Sequence, residues 1–328
     1  MKYSYFPGCS FEHGGLAYPF QQSIAAILPP LDIELVEIED WNCCGATEYI
    51  SLNRMAAYAL IARNLAQAVK TDGPKQMIAP CSACYLNLNK CDHYLAEDER
   101  LAAKVNVALA EAGLSYQPGA IKVRHLLDVV VNDIGYAAIA AKVTKPLKGL
   151  RVAPYYGCLI GRPRFNGKID EPEYPVTLDK LLKVLGAEVV DYPMKAHCCG
   201  GHMTQISEGV AFDMIHRLVK GAADYHADLI VTVCPMCQLN LDAFQGAMNR
   251  YLKTDLHVPV LYYTQMMGLA FGFDAATLGI GSELVDARQA LARIGVEVPP
   301  PAEEAPKHKP RPPKEALPMP RMPEKEAA

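Results

Sequence analysis

The feature that most constrains this chain is an array of five cysteines that occurs twice. Each array contains a single cysteine, then two adjacent cysteines, then a Cys-x-x-Cys motif. The intervals agree, since 33 and 39 residues separate the single cysteine from the pair, and 36 and 34 residues separate the pair from the closing motif. Ten of the eleven cysteines belong to these sets, which are Cys9, Cys43, Cys44, Cys81 and Cys84 in the first array and Cys158, Cys198, Cys199, Cys234 and Cys237 in the second.

The sequence around the cysteines is also repeated. Residues 84–88 and 237–241 are identical at four of five positions, and the predicted elements follow the same order in each half. A chain of 328 residues is long enough for two domains. We therefore predict domains at 1–147 and 148–298, followed by a tail at 299–328. That tail contains ten prolines among charged residues, a composition typical of disorder.

Strand-like and helix-like segments alternate along both halves, which favours an α/β fold with two similar domains and mainly parallel sheets. Each cysteine group follows a predicted strand. Because sites in such folds gather at the carboxyl ends of strands, one site in each half could collect five thiolates. The predicted strands are 3–6, 33–38, 76–79, 150–156, 188–192 and 229–233, and the predicted helical segments are 16–28, 51–70, 85–112, 125–144, 176–185 and 203–225.

Charge and hydropathy narrow the class of protein. The net charge is −4 and no basic block is present, which gives no support for nucleic-acid binding. Apolar stretches such as 266–273 are shorter than the roughly 20 residues that span a bilayer. The first residues contain no apolar signal region, so we expect a soluble cytoplasmic protein without a membrane span. In that reducing compartment, clustered cysteines indicate metal or redox chemistry more often than structural disulfides.

Three chemistries compete for the arrays. Disulfides fit poorly because adjacent cysteines seldom bridge without strain. Zinc takes four tetrahedral ligands, so a set of five leaves one thiolate over, although zinc in one array stays open. An iron-sulfur cluster spreads several irons over a few ångströms, so the two cysteines of a pair can reach different irons. Glycine after each pair, at Gly45 and Gly200, allows a tight turn that brings backbone N–H groups near sulfur.

The motifs at 155–158, 198–202 and 234–242 resemble those of the CCG-domain family, most closely the B-type subunits of heterodisulfide reductases. The resemblance covers about residues 1–270. It implies two noncubane 4Fe-4S clusters, each ligated by the five cysteines of one array, with a substrate held between them. It also implies a ferredoxin-like C subunit and a flavin-containing A subunit as partners in one complex. The pair that continues Gly45-Ala46 departs from the Gly-Gly of the second array.

The predicted activity is therefore reductive cleavage of a disulfide, or its reverse formation, in the catalytic B-type subunit of such a complex. Disulfide reduction takes two electrons, and two clusters facing one cleft can each deliver one. The substrate is a small disulfide or thiol, or a thiol-carrying protein. The Pro-rich tail matches no family motif and suggests a different pathway, such as sulfur oxidation. Two alternatives remain: an electron-transfer CCG subunit of a dehydrogenase complex without its own substrate, and a zinc-stabilised assembly scaffold.

Four residues near the second array are candidates for catalysis. His197 and His202 flank the cysteine pair and could donate protons to a departing thiolate, or simply hold the loop. Arg162 and Arg164 follow Cys158 and could bind an acidic group of the substrate, or lie in a solvated loop.

Three further residues have structural interpretations. Cys91 lies outside both arrays, and a small core residue is the expected role. Asn87 and Asn240 occupy matching positions and are expected to cap or brace the helix of each Cys-x-x-Cys motif.

Overall fold

The computed structural model describes residues 1–11, 15, 17–46, 49–71, 74–163, 165 and 169–300. The candidate Arg164 and nearly all of the predicted tail, residues 301–328, lie outside the described residues.

The described chain forms two four-stranded sheets in which every pairing is parallel. The strand orders are β2-β1-β3-β4 and β6-β5-β7-β8, so the second sheet repeats the topology of the first. The prediction of an α/β fold with two similar halves is confirmed. The strands are β1 (Lys2–Tyr5), β2 (Glu34–Glu37), β3 (Gln76–Ala79), β4 (Lys122–His125), β5 (Arg151–Tyr155), β6 (Glu188–Val189), β7 (Leu229–Thr232) and β8 (Val260–Tyr262).

Helices connect the strands and flank both sheets. In the first half they are α1 (Tyr18–Ile27), α2 (Tyr49–Leu52), α3 (Arg54–Lys70), α4 (Ser82–Glu97), α5 (Glu99–Ala110), α6 (Leu126–Val129) and α7 (Tyr136–Ala140). In the second half they are α8 (Thr177–Val184), α9 (Met203–Ile206), α10 (Glu208–Asp224), α11 (Pro235–Ala243), α12 (Gln245–Leu252), α13 (Tyr263–Phe271) and α14 (Arg288–Ala292). None of the described helices combines the length and the apolar character needed to cross a membrane.

The fourth strand of each sheet was not predicted. The helix expected over 125–144 was wrong in part, because β4 ends at His125 and a π-helical turn at Val130–Gly135 separates α6 from α7. In β4, Arg124 pairs with Asp128 at 2.7 Å and with Asp133 at 2.6 Å. A buried strand that carries such ion pairs has no apolar run for a sequence pattern to detect.

Two other predicted helices are each broken once. The helix expected over 51–70 restarts at Asn53, whose side chain accepts a hydrogen bond from the Ala56 N–H at 3.0 Å and caps α3. The helix expected over 203–225 is interrupted at Ser207, whose backbone is extended.

The halves pack through matching pairs of helices. Helix α1 of the first half lies on α13 of the second, where Ser23 Oγ and Thr264 Oγ1 are 2.6 Å apart. Helix α7 lies on α8, and the Tyr136 hydroxyl donates to the Thr177 carbonyl at 3.1 Å. Buried apolar residues form one core cluster that includes both sheets. The boundary at 147/148 stays a prediction, since the core runs on across both halves.

Candidate functional site

The cysteines of both arrays lie where strands end and turn into loops or helices. Cys9 follows β1, the pair Cys43-Cys44 follows β2, and Cys81 follows β3. The second half repeats this arrangement after β5, β6 and β7. The carboxyl ends of neighbouring parallel strands share one edge of a sheet, so the three groups of each array converge there.

Thiol–thiol interactions join the cysteines in the same order in both arrays. In the first array the order is Cys9, Cys43, Cys44, Cys84 and Cys81, with Cys9 Sγ and Cys43 Sγ 3.7 Å apart. In the second array it is Cys158, Cys198, Cys199, Cys237 and Cys234.

The two arrays meet end to end. The Cys81 and Cys234 side chains interact directly, and both are buried. We call the surroundings of these two side chains the junction. Each half supplies one of its two cysteines, so the site exists only when the halves are packed together.

The first cysteine of each adjacent pair has a lowered pKa, which favours its thiolate form. Interactions with the thiols of Cys44 and Cys9 lower the pKa of Cys43 to about 2, and the Gly45 N–H adds to this shift. In the second array the thiols of Cys158 and Cys199 lower the pKa of Cys198 to about 2, and the Gly200 N–H donates to its Sγ at 3.4 Å. The expected role of the glycine after each pair is thus present in both arrays.

Each Cys-x-x-Cys motif forms the first turn of a helix. Cys81 caps α4 and Cys84 is its third residue, while Cys234 caps α11 and Cys237 is its third residue. The positive end of the helix therefore faces the sulfur atoms, which favours bound anions and thiolates. The first helix begins three residues before its predicted start at Tyr85.

In each array, a glycine before the single cysteine lets the backbone come close to the sulfur atom of the second cysteine in the Cys-x-x-Cys motif. Gly8 has φ +86°, and a Cβ placed there would lie 3.1 Å from Cys84 Sγ. Gly157 has φ +67°, and its Cβ would lie 2.9 Å from Cys237 Sγ. Only glycine avoids both the left-handed strain and the contact with sulfur. The duplicated sites thus repeat the close approach of backbone to sulfur.

The paired asparagines hold the cysteine loops, rather than capping a helix. The Asn87 side chain donates to the Cys44 carbonyl at 3.2 Å. The Asn240 side chain donates to the carbonyls of Cys199 at 3.2 Å and Gly201 at 2.8 Å. Both asparagines therefore tie the Cys-x-x-Cys helix to the adjacent pair.

A buried ion pair supports the second array. Lys195 Nζ donates to Asp179 Oδ1 at 2.8 Å, and the Lys195 side chain is 1% exposed. The Tyr156 hydroxyl donates to Asp179 Oδ2 at 2.6 Å, and the Tyr156 N–H donates to the Lys195 carbonyl at 2.9 Å. The segment before Cys158 and the loop before Cys198 are thereby fastened to α8. Sequence patterns did not single out Lys195 or Asp179.

The histidine candidates have different surroundings. His197 is exposed, and its carbonyl accepts a hydrogen bond from the Tyr155 hydroxyl at 2.7 Å. His202 is half-buried and lines a cavity of about 160 Å³ against the first array, although it follows the second pair in sequence. Met236 and Leu239 of the second half line the same cavity. Residues of one half thus enclose the array of the other.

Arg162 and Cys91 complete the residues singled out from the sequence. The Arg162 guanidinium pairs with Glu173 at 3.2 Å and donates to the Ala196 carbonyl, beside the loop of the second pair. Cys91 is fully buried in the core, as expected.

The donor set suits a group that is larger than one ion. In the described part of the chain, no group of three or more His, Cys, Asp or Glu side chains has the arrangement that holds a single metal ion. Each array instead offers five neighbouring cysteine thiols. The backbone of Gly8 or Gly157 packs against the second cysteine of the Cys-x-x-Cys motif in the same array. Soft thiolates in this number are the ligands that iron-sulfur clusters use.

Comparison with protein families agrees with this arrangement. The model of the cysteine-rich domain family CCG matches residues 3–89 and 152–242, which together make up more than half of the chain. The chain belongs to the CCG family. The matched segments each contain one complete array, so the resemblance seen in the motifs is confirmed.

Relatives of this CCG protein are named as subunits of reductases or as similar to such a subunit. It is 35% identical over 286 residues to the membrane anchor component of the 8-methylmenaquinol:fumarate reductase of Wolinella succinogenes, a match that covers 87% of this chain and 98% of that one. It is 31% identical over 297 residues to the B-type subunit of a CoB-CoM heterodisulfide reductase of Methanosarcina acetivorans, covering 89% and 97%. A protein of Archaeoglobus profundus, named as similar to the B-type subunit of heterodisulfide reductase, is 30% identical over 279 residues, covering 84% and 92%.

A solved structure shares the fold of this CCG protein. A hypothetical protein from Helicobacter pylori superposes with a TM-score of 0.69 at 14% identity, over 87% of this chain and 52% of that one. At that identity the likeness concerns the fold alone.

Proposed function

We propose that this CCG protein is the iron-sulfur, substrate-binding subunit of a heterodisulfide-reductase-like complex. Its reaction is the two-electron cleavage of a disulfide, in which the S–S bond breaks, two electrons and two protons are taken up, and two thiols form. Oxidation of two thiols, or of a sulfur-carrying thiol, would use the same site in reverse. The observation that carries the proposal is the meeting of two complete five-cysteine arrays at one buried junction.

In this proposal each array holds one noncubane 4Fe-4S cluster through its five cysteines. The clusters would supply one-electron transfer and a place for sulfur to bind. The chain's own residues do the rest. Gly8 and Gly157 admit the backbone close to sulfur, and Asn87 and Asn240 hold the pairs against the helices.

The cavity beside the first array suits an organic sulfur compound. Met236 and Leu239 give it an apolar lining, and His202 adds an imidazole that can form a hydrogen bond with a thiol. Arg162 is engaged by Glu173 and Ala196, so we assign it to holding the loop of the second pair.

Electrons would reach the clusters from other proteins, because the chain contains no nucleotide-binding motif. The proposed partners are a ferredoxin-like C subunit and a flavin-containing A subunit. Cys9 and Cys43 are the exposed cysteines of the first array. We propose that electrons from a partner protein enter at this exposed surface. Action in the cytoplasm stays a prediction from the sequence.

A second candidate is an electron-transfer subunit without its own substrate. The relative at 35% identity favours it, because that protein is named as the membrane anchor component of a fumarate reductase. A zinc-stabilised scaffold is the third possibility.

Metal analysis of anaerobically purified protein tests the cofactor. We expect about eight irons per chain with acid-labile sulfide, as two four-iron clusters require. Cys199→Ala should remove about half of this iron, because it takes one ligand from the second array only. Cys91→Ala is the matched control and should retain all of it. About two metal ions per chain with zinc present would contradict the proposal and favour the scaffold.

A thiol-binding experiment separates the first two candidates. Added small disulfides should produce a new spectroscopic signal from sulfur bound at a cluster of the reduced protein. Iron-loaded protein that transfers electrons but never gives this signal would favour the electron-transfer subunit.

A further inference from the structure

The fourth strands of the two sheets end in different residues at equivalent positions. His125 is the last residue of β4, and Tyr262 is the last residue of β8. His125 is in register with Ala79, two residues before Cys81, and Tyr262 is in register with Thr232, two residues before Cys234. Each therefore stands beside the strand that delivers a cysteine to the junction.

The histidine in the first half has hydrogen-bond partners. Its Nδ1 accepts from the Leu127 N–H at 3.1 Å, and its Nε2 lies 3.3 Å from Ser82 Oγ. Burial lowers the pKa of His125 to about 4, so the ring is neutral at pH 7. Both ring nitrogens of His125 therefore have hydrogen-bond partners within the protein.

The hydroxyl of the tyrosine in the second half lacks a hydrogen-bond partner among the described residues. Tyr262 is 2% exposed. The position that corresponds to Ser82 is Pro235, which carries no hydroxyl. A buried polar group without a partner costs about 1–3 kcal/mol, so we expect the Tyr262 hydroxyl to gain an acceptor once the site is filled.

The surroundings identify the chemistry of that acceptor. The ring of Tyr262 stacks on Phe20, with centroids 4.3 Å apart, so its position is held from both halves. Burial raises the pKa of its hydroxyl well above the usual value, and the array cysteines Cys234 and Cys81 are among the groups that interact with it electrostatically. A phenol has an ordinary pKa of about 10, so this hydroxyl carries its proton at pH 7 and can donate it in a hydrogen bond to an anion. Thr232 beside it has a second buried hydroxyl without a partner among the described residues.

We propose that the Tyr262 hydroxyl donates a hydrogen bond to a thiolate sulfur at the junction of the two arrays. This inference rests on the proposed function, since the sulfur belongs either to a cluster-bound cysteine or to the substrate thiol. In both cases Tyr262 is a donor that stabilises negative charge on sulfur after electrons arrive. At the equivalent position of the first half, His125 is already engaged.

Tyr263 provides a matched control. It is also fully buried, and its hydroxyl also lacks a partner within the described residues. The charge that acts on it belongs to Tyr5, and no array cysteine is among the groups that shift its pKa. Tyr262→Phe and Tyr263→Phe therefore remove the same atom from equally buried rings, but only the first lies beside the junction.

The test compares these two variants with the wild type in anaerobically purified, iron-loaded protein. If the acceptor is a cysteine bound to a cluster, Tyr262→Phe should lower the midpoint potential of one cluster in the absence of substrate, because hydrogen bonds to sulfur favour the reduced state. If the acceptor is the substrate, that potential should be unchanged. The dissociation constant for 2-mercaptoethanol, used as the thiol probe, should then rise about tenfold.

Tyr263→Phe should match the wild type in both measurements. A Tyr262→Phe protein with wild-type potential and wild-type thiol binding would overturn the inference, as would equal changes in both variants. These results would leave the proposed function standing, because it depends on iron in the wild type. Wild-type protein without iron would instead contradict the proposed function and the inference together.

Discussion

The two arrays have the same sulfur order but different surroundings. In the first, Cys9 and Cys43 are exposed, whereas the corresponding Cys158 and Cys198 of the second are half-buried. The loop before Cys43 is held by hydrogen bonds between Asn42 and Asn64 at 2.9 Å.

The loop before Cys198 is held differently. Lys195, which is almost completely buried, joins it to Asp179 and Tyr156. The two halves thus share the order of the thiol contacts and the close approach of glycine to sulfur, and they differ in what holds the loops. If both arrays bind the same kind of group, as we propose, they need similar contacts at the cysteines, whereas the contacts farther from sulfur can differ between an exposed array and a half-buried one.

The largest expected effect is on the loop of the second array. Lys195→Met leaves the Asp179 carboxylate buried without its cation, which should cost about 3 kcal/mol or more in the free energy of unfolding. Urea unfolding measures this, and iron analysis should show loss from the second array. Lys220→Met breaks an exposed pair with Asp224 and should change stability by less than about 0.5 kcal/mol. Equal effects of the two variants would mean that the buried pair has no special role.

The next effect concerns the contacts that both arrays share. Gly157→Ala and Gly8→Ala should each cost about 2 kcal/mol, from left-handed strain and from a Cβ against a cysteine sulfur. Iron should be lost from the second array in one variant and from the first in the other. Gly149 has φ +88° with nothing within 4 Å of its Cβ, so Gly149→Ala should show the strain alone and keep all iron. Iron loss in that control would show that strain by itself empties the arrays.

The last comparison concerns the asparagines, and it includes the smallest expected effect. Asn240→Ala should destabilise the protein by about 2 kcal/mol and Asn87→Ala by about 1 kcal/mol, because the first side chain is buried and donates to two carbonyls while the second donates to one. Thermal unfolding of the two variants side by side measures the difference. If Asn87→Ala destabilised the protein more than Asn240→Ala, the prediction would be wrong, and the loop of the first cysteine pair would be the more firmly held of the two.

Several structural features were predictable because they are local. Strands at 76–79 and 229–233 are short apolar runs, and the structure has them at Gln76–Ala79 and Leu229–Thr232. β4 was missed because its buried residues include Arg124 and His125, whose partners lie elsewhere in the chain. β8 is only three residues long, too short for an alternating pattern.

The sequence predicted which cysteines make up the candidate site, but not how they are arranged. The cysteine motifs indicated which sulfur atoms belong together. They gave no sign that His202 would line the cavity of the other array, or that Tyr262 would end a strand at the junction. Lys195 was also missed, because a single lysine in a loop has no pattern that distinguishes a buried ion pair from a solvated charge.

By itself, the sequence determined the number of sulfur donors, their grouping into two arrays and the α/β class of the fold, because these depend on residue type and on spacing along the chain. Only the tertiary structure decided that the arrays meet at Cys81 and Cys234. That meeting depends on α1 packing against α13 and α7 against α8, contacts between residues as far apart as Ser23 and Thr264. Such contacts follow from the shapes of two folded surfaces, which no short stretch of sequence encodes.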